Sequence, residues 1–337
     1  MEKVVIYGAG NMGRAVLELL RGRCEVTGFI DGNPALWGSS ISGVPVWSLS
    51  DTPEELCDAA ALVAMAVCPF SSIRKSLLGL GFQRVVPAGD YVNAQYTQDE
   101  ILNTWRARDL HGTPSFADEK SVLDYRAACQ WFTQRTDGEQ ALEGSKYFPE
   151  FLNAQISQCG IMLDTAALDG GYIDSFLQRN KDGRVYSYVL TPQTVSIQSL
   201  LEKYQGRPVS FFECEAAGQD GTLNCRRIGL MRPFTQKQMY AVPVKTIDTA
   251  MEDTAFDYLR CYSMSEALPI LRGGKRSIHK YRPLIAVNIG HYQSDFLQVP
   301  PYLIEQCVNY KFYFRMHSYQ GNDCILYAVP CEKTDGS

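Results

Sequence analysis

The chain has 337 residues, 45% of them hydrophobic and 20% charged, which is enough to bury a full core and favours two soluble domains over one. The formal net charge of −5 argues against a nucleic-acid partner, because the basic residues do not gather into a run. The first residues run straight into a strand-like segment and no apolar run reaches the ~20 residues of a membrane span, which predicts a cytoplasmic protein without membrane contact.

Residues 1–92 alternate between short apolar segments, such as KVVIYG, and amphipathic segments, such as NMGRAVLELLRG. This alternation predicts a parallel sheet covered by helices on both faces, which is a small Rossmann-like domain. Residues 93–150 then become helical in pattern, with breaks at Pro114 and Gly138. We expect them to form a helical connector.

Strand patterns return in residues 151–331. They are IMLD, RVYSYVL, PVSFFECEA, FDYLRCYS, PLIAVNIG, YKFYFRMHS and CILYAVP. The turn-rich link YQGND between the last two predicts an antiparallel hairpin at the edge of an otherwise parallel sheet. The predicted fold class is therefore α/β, with an N-terminal Rossmann-like parallel-sheet domain, a helical connector and a C-terminal Rossmann domain of the seven-stranded methyltransferase architecture.

A glycine-rich turn follows the first predicted strand. The segment VVIYGAGNMGRAVLELL fits the pattern G-x-G-x-x-G at Gly8, Gly10 and Gly13. Gly8 makes the tight turn, Gly10 lets a phosphate approach the backbone, and Gly13 packs the helix on the strand. Asp31, at the end of the second strand, is placed to accept hydrogen bonds from a ribose. The pattern predicts a nucleotide site; the alternative is that these glycines serve only helix–sheet packing.

The same turn resembles the N-terminal domains of sugar O- and N-acyltransferases that bind a nucleotide-sugar. The resemblance is carried by YGAGNMG, GFIDGNP and GVPVW. It implies a nucleotide-sugar, whereas the glycine pattern alone fits NAD equally well. The predicted small-molecule partner of this domain is therefore a nucleotide, a nucleotide-sugar or NAD.

The C-terminal part resembles the FkbM family of S-adenosylmethionine (SAM) dependent methyltransferases, in the subgroup with a Rossmann-like domain in front. The similarity is carried by RPLIAVNIGHYQSDFLQVPPYLIEQCVNYKFYFRMHS and CILYAVP, and it reaches into the connector through FADEKSVLDY and YFPEF. It implies SAM as the cofactor and methyl transfer to a carbohydrate or other small-molecule hydroxyl. It also places Asp164, Gly170, Val189 and Tyr262 at positions of the family's SAM site.

Three motifs of that family are altered in this chain. In the turn D-C-G-A-x-x-G-D-T, which lies against the methionine part of SAM, Ala166 replaces the first glycine. Val189 stands where the family has the glutamate that binds the SAM ribose. In the motif I-K-M-D-I-E-G-A-E, three acidic residues of the reaction cleft become Tyr262, Met264 and Ala267. A valine accepts no hydrogen bond, so the ribose hydroxyls would be left unpaired.

These changes predict a degraded SAM site in a non-catalytic or weakly active protein that binds a nucleotide or nucleotide-sugar. Two alternatives stay open. One is an active SAM-dependent O-methyltransferase with a rearranged pocket. The other is a pocket lined by Val189, Tyr262 and Met264 that takes a different, more apolar ligand.

If catalysis survives, methyl transfer to a hydroxyl needs a general base. His291 follows the strand PLIAVNIG, at the carboxyl end where α/β sheets place their ligands, and Asp295 is the candidate to orient it. The alternative is that His291 ends a strand and Asp295 begins a helix. The four histidines and 11 cysteines show no ligand spacing, so no metal site is predicted.

Overall fold

The computed structural model describes residues 1–65, 69–92, 114–134, 142, 144–189, 197–226, 239–262, 266–291, 293–321 and 323–333. The chain divides into two compact units. Of the described residues, the first unit contains 1–65, 69–92 and 129–134, and the second contains the rest. Residues 93–113 of the predicted helical connector (93–150) lie outside the described residues, and the domain boundaries after 92 and 150 stay predictions.

The first unit is built on one six-stranded sheet. Its strands are β1 (Lys3–Tyr7), β2 (Glu25–Ile30), β3 (Ser40–Ile41), β4 (Val44–Trp47), β5 (Ala60–Val63) and β6 (Val85–Pro87). Their order is β3-β4-β2-β1-β5-β6, and all neighbours are parallel except β3 and β4. The order reverses between β1 and β5, which is where open parallel sheets bind ligands. The predicted Rossmann-like parallel sheet is confirmed.

Three helices accompany this sheet: α1 (Asn11–Leu20), α2 (Phe70–Gly79) and α3 (Ala88–Val92). The core lies between helices and sheet, and the central strand β5 is apolar and buried at all four of its positions. Such continuous apolar strands are typical of a parallel sheet that is covered on both faces. The short pair β3 and β4 was not predicted. It turns at Gly43, whose φ of +84° favours glycine, and it adds to the sheet beside β2.

The second unit contains a seven-stranded sheet. Its strands are β7 (Ile161–Asp164), β8 (Arg184–Tyr188), β9 (Val209–Phe212), β13 (Tyr258–Cys261), β14 (Leu284–Asn288), β15 (Tyr310–Met316) and β16 (Cys324–Pro330). The order is β15-β16-β14-β13-β7-β8-β9, and β16 is antiparallel to both of its neighbours. The other pairs are parallel. The predicted α/β class and the closing hairpin are confirmed, and the order reverses between β7 and β13.

Between β9 and β13 the chain forms a small sheet that was not predicted. It contains β10 (Glu215–Ala216), β11 (Gly221–Arg226) and β12 (Met239–Lys245) in the order β10-β12-β11. The helices of the remaining chain are α4 (Glu119–Gln134), α5 (Asn153–Ile156), α6 (Gly171–Arg179), α7 (Ile197–Lys203), α8 (Ile247–Met251), α9 (Ala267–Gly273), α10 (Lys275–Tyr281) and α11 (Gln293–Gln306). Among the helices that the structure describes, none combines the length and apolar character needed to cross a membrane.

Candidate functional site

The glycine-rich turn between β1 and α1 is shaped by two glycines that cannot carry a side chain. Gly8 has a φ of +104°, and a Cβ there would lie 3.0 Å from the Ala64 carbonyl oxygen at the end of β5. A Cβ on Gly13 would overlap the carbonyl oxygen of Gly8. Both residues are therefore required by close backbone packing at the point where the strand order reverses.

Gly10 differs from the other two glycines of the turn. It precedes α1 with a φ of −74°, which any residue can adopt, and no described atom lies within 4 Å of a Cβ built on it. Neither backbone strain nor packing by the described residues explains a glycine here. The part of the chain that the structure describes thus leaves room beside Gly10, as a ligand phosphate approaching the backbone would need.

The N-terminus of α1 next to Gly10 carries positive partial charge. No side chain caps it, and its first turn contains no acidic residue. Arg14 is exposed, and its Nε donates to the Ala9 carbonyl oxygen at 3.3 Å, which keeps a cationic side chain beside the turn. The helix dipole and the guanidinium both favour an anion. Sequence analysis missed Arg14; its signal was a basic residue one position after Gly13.

Asp31 is held against the glycine-rich turn. Its Oδ2 accepts a hydrogen bond from the Ala9 N–H at 2.6 Å, and its Oδ1 accepts one from the Asn33 N–H at 2.7 Å. The fold thus brings together Gly8, Gly10, Gly13 and Asp31. The carboxylate is half-buried and keeps lone pairs beyond these two bonds. Its contact with a ribose stays a prediction.

In the second unit, Asp164 at the end of β7 is fully buried. Its Oδ2 accepts a hydrogen bond from the Ser187 hydroxyl at 2.9 Å, and its Oδ1 accepts one from the Ala166 N–H at 3.1 Å. Oδ1 also pairs with the guanidinium of Arg260 on the neighbouring strand β13. Burial raises the pKa of the Asp164 carboxyl above its ordinary value, although the guanidinium acts in the opposite direction.

The guanidinium of Arg260 lies against two tyrosine rings. Its Cζ is 3.9 Å from the centre of the Tyr172 ring and 4.4 Å from that of the Tyr147 ring, so both attract it by cation–π interaction. Nη1 also donates to the Ala166 carbonyl oxygen at 2.9 Å. Burial by itself lowers the pKa of Arg260. The Asp164 carboxylate outweighs burial and holds this pKa above its ordinary value. A charged arginine therefore ties the turn after β7 to β13.

Arg260 was missed by sequence analysis. The available signal was an arginine inside the apolar run FDYLRC, since charged residues are rarely buried in a strand unless they are paired. Its partner Asp164 was singled out, but as a residue of the family's SAM site. The two are 96 positions apart, so no local pattern links them.

The turn after β7 is closed over by another side chain. Gly170 has a φ of +85°, and a Cβ there would overlap the hydroxyl of Tyr204, which donates to the Gly170 carbonyl oxygen at 2.7 Å. Lys203 Nζ donates to the Asp169 carbonyl oxygen at 3.0 Å. Within this turn, Leu168 has a left-handed backbone conformation, with a φ of +49°. Ala166, which replaces a glycine of the family's motif, does not have a positive φ.

Val189 and Tyr262 follow the carboxyl ends of β8 and β13. Val189 is buried, and its N–H donates to the Phe212 carbonyl oxygen at 3.0 Å. The N–H of Tyr262 donates to the Thr165 hydroxyl at 2.9 Å, and that hydroxyl donates to the Tyr262 carbonyl oxygen at 2.6 Å. The fold thus gathers Asp164, Val189 and Tyr262 at one edge of the sheet; Met264 lies outside the described residues.

His291 lies beyond β14 and is exposed. The Asn288 carbonyl oxygen Oδ1 accepts a hydrogen bond from the Gly290 N–H at 2.8 Å, which turns Asn288 Nδ2 towards His291 Nε2 at 3.3 Å. In this orientation Nε2 is the acceptor, so the neutral imidazole carries its proton on Nδ1. The Tyr262 ring stands edge-on to the imidazole at 5.3 Å.

Asp295 is buried and caps a helix. Its Oδ2 accepts a hydrogen bond from the Ala267 N–H at 2.7 Å, and its Oδ1 accepts one from the Leu268 N–H at 3.1 Å. Burial raises the pKa of this carboxyl above its ordinary value. Both oxygens thus serve the N-terminus of α9, and the proposed orientation of His291 by Asp295 stays a prediction.

The fold is shared with a known enzyme. The crystal structure of methyltransferase FkbM from Methylobacillus flagellatus KT matches 97% of this chain and 90% of its own, with a TM-score of 0.64 and 19% sequence identity. This chain has a methyltransferase fold. The predicted resemblance to FkbM methyltransferases is confirmed for the fold. A sequence identity of 19% supports a shared fold and nothing further.

Other comparisons cover smaller parts of this methyltransferase-fold protein. The structure of precorrin-6y C5,15-methyltransferase from Geobacter metallireducens GS-15 matches 57% of the chain with a TM-score of 0.35 and 15% identity. The redox-sensing transcriptional repressor Rex of Latilactobacillus sakei is 28% identical over 79 residues, which are 23% of this chain. The match spans 38% of the repressor's own length. No known protein-family profile matches the chain.

Proposed function

We propose that this protein binds a nucleotide in its first unit and has lost SAM-dependent methyl transfer in its second. The observation that carries the proposal is the contrast between two glycines at two helix N-termini. No atom of the described residues lies within 4 Å of a Cβ built on Gly10, whereas a Cβ on Gly170 would overlap the hydroxyl of Tyr204. One turn keeps the features of an anion site, and the other is packed by the protein's own side chains.

The residues of the second unit do not fit SAM. At the place of the family's ribose-binding glutamate, Val189 offers a buried aliphatic side chain and has its N–H bonded within the sheet. Asp164, beside the turn that lies against the SAM methionine in the family, is bonded to Ser187, Ala166 and Arg260. No reaction step through SAM is therefore proposed.

Calorimetry with 100 µM SAM is expected to show no binding to the unmodified protein. Loss of the ribose carboxylate alone weakens affinity by about tenfold or more, and the packed turn at Gly170 adds to that loss. Val189→Glu combined with Ala166→Gly should restore little affinity, because Tyr204 and Arg260 stay in place. S-adenosylhomocysteine serves as a second probe. Saturable binding of either compound to the unmodified chain, with a micromolar dissociation constant, would refute the loss of the SAM site.

Nucleotides are expected to raise the melting temperature of the protein by several degrees. A ligand at 100 times its dissociation constant stabilises the native state by about 2.7 kcal/mol. UDP, a UDP-sugar and NAD at millimolar concentration separate the three ligand classes that the glycine-rich turn allows. Asp31→Ala should abolish the shift. The matched control is Asp58→Ala, which removes an exposed carboxylate from the same unit. A shift that survives Asp31→Ala unchanged would remove Asp31 from the site.

The partners and location proposed for the protein follow from its charge and composition. Its ligand is a small molecule, and a net charge of −5 does not suit nucleic acid or an anionic membrane surface. We also propose the cytoplasm as its compartment, since its 11 cysteines occur without a pairing pattern.

A second candidate function is an active O-methyltransferase acting on a carbohydrate or small-molecule hydroxyl. It is favoured by the position of His291, which stands against Tyr262 at the carboxyl edge of the seven-stranded sheet. As a base, its Nε2 would first have to give up the hydrogen bond from Asn288. The SAM titration above decides between the two candidates, because methyl transfer requires that SAM bind.

A further inference from the structure

Trp37 presents an aromatic ring to solvent close to the glycine-rich turn. It follows the short helical turn Pro34–Leu36, and 42% of its surface is exposed. The indole N–H is already satisfied, because Nε1 donates to the Asp31 carbonyl oxygen at 2.7 Å. The exposed part of the side chain is thus an apolar ring face whose polar atom needs no further partner, which suits a flat ligand.

Asp31 links this ring to the turn through two hydrogen bonds. Its carboxylate accepts the Ala9 N–H at 2.6 Å, and its main-chain carbonyl accepts the Trp37 indole N–H at 2.7 Å. These bonds connect the turn that contains Gly10 to Asp31, and Asp31 to the indole. A nucleoside diphosphate has the same order of chemical groups: phosphates, ribose and base.

We propose that Trp37 is the surface on which the base of the nucleotide stacks. This inference rests on the nucleotide binding proposed above and adds the residue that recognises the base. Base–aromatic stacking accepts purines and pyrimidines alike, since every base has a flat π face. The site thus selects nucleotides over sugar phosphates without strong discrimination between bases.

The position of the indole is set before any ligand binds. Asn33 caps the turn that precedes it, accepting the Ala35 N–H at 3.1 Å, and the Trp37 N–H donates to the Pro34 carbonyl oxygen at 3.3 Å. On the other side, the Gly38 N–H donates to Val46 in β4 at 3.0 Å. Because the backbone is held on both sides of Trp37 and its Nε1 is hydrogen-bonded, the indole loses little conformational freedom on binding, which favours affinity.

Calorimetric titration with UDP and ADP tests the inference on the full chain. Trp37→Leu should weaken binding of both nucleotides by about tenfold. Trp37→Phe keeps a ring face but loses the hydrogen bond to Asp31, and we expect it to stay within about threefold of the unmodified protein. Leu78→Ala, which alters an equally exposed apolar residue of the same unit (40%), is the matched control and should change neither affinity.

Each outcome separates stacking from the nucleotide site as a whole. Equal losses in Trp37→Leu and Trp37→Phe would mean that the indole N–H acts by positioning Asp31, and stacking would be overturned. Unchanged affinity in Trp37→Leu would overturn stacking and leave the proposed nucleotide site intact. Failure of the unmodified protein to bind UDP, ADP or NAD would overturn the nucleotide site, and the stacking with it.

Discussion

Replacing Arg260 with alanine is expected to lower the free energy of unfolding of the second unit by about 3–5 kcal/mol. The guanidinium is fully buried, and its removal leaves the Asp164 carboxylate in the core without its counter-ion. It also removes the cation that contacts the rings of Tyr147 and Tyr172. Urea unfolding of the full chain followed by circular dichroism measures the change through the shift of the midpoint of the second unit.

Two further variants show whether the buried charge is the cause. Asp164→Asn in the Arg260→Ala background should regain part of the lost stability, because the uncompensated carboxylate is gone. Arg282→Ala, which removes a more exposed arginine paired with Glu332, is expected to cost far less. Similar losses in the two arginine variants would show that burial of the Asp164–Arg260 pair does not govern stability.

Replacing Gly13 with alanine is expected to destabilise the first unit by about 3 kcal/mol, whereas the same change at Gly10 should cost less than about 1 kcal/mol. The Gly13 methyl group would overlap the backbone of Gly8, which cannot move without disturbing the turn at the end of β1. At Gly10 no described atom lies within 4 Å of the added carbon. Thermal unfolding of the two variants, one methyl group each, measures the difference.

Nucleotide binding should be weakened by Gly10→Ala although this variant keeps its stability. Gly10→Ala leaves the fold intact but places a methyl group where a phosphate would approach, so its affinity for UDP or NAD should fall by about tenfold. This loss without loss of stability distinguishes a ligand-binding glycine from a packing glycine. Full affinity in a well-folded Gly10→Ala protein would support the alternative that the glycines of this turn serve only helix–sheet packing.

The parts of the fold that sequence analysis missed lack local signals. The strands β3 and β4 are two and four residues long, and Pro45 within β4 argues against a strand in a sequence pattern. In the small sheet, β10 has only two residues, and Pro243 within β12 likewise argues against a strand. By contrast, β14 and β16 are buried along their whole length, and their continuous apolar runs made them predictable.

The sequence by itself determined both Rossmann-like sheets, the closing hairpin and the glycine-rich turn of the first unit. These features depend on apolar periodicity and on the glycines Gly8 and Gly13. The contacts that require glycine at these two positions come from residues a few positions away and from the end of the adjacent strand. Only the tertiary structure decided that the second turn is closed. Arg260 meets Asp164 across 96 positions, and Tyr204 meets Gly170 across 34. Such contacts depend on which strands become neighbours in the sheet, and no local pattern of residues carries that information.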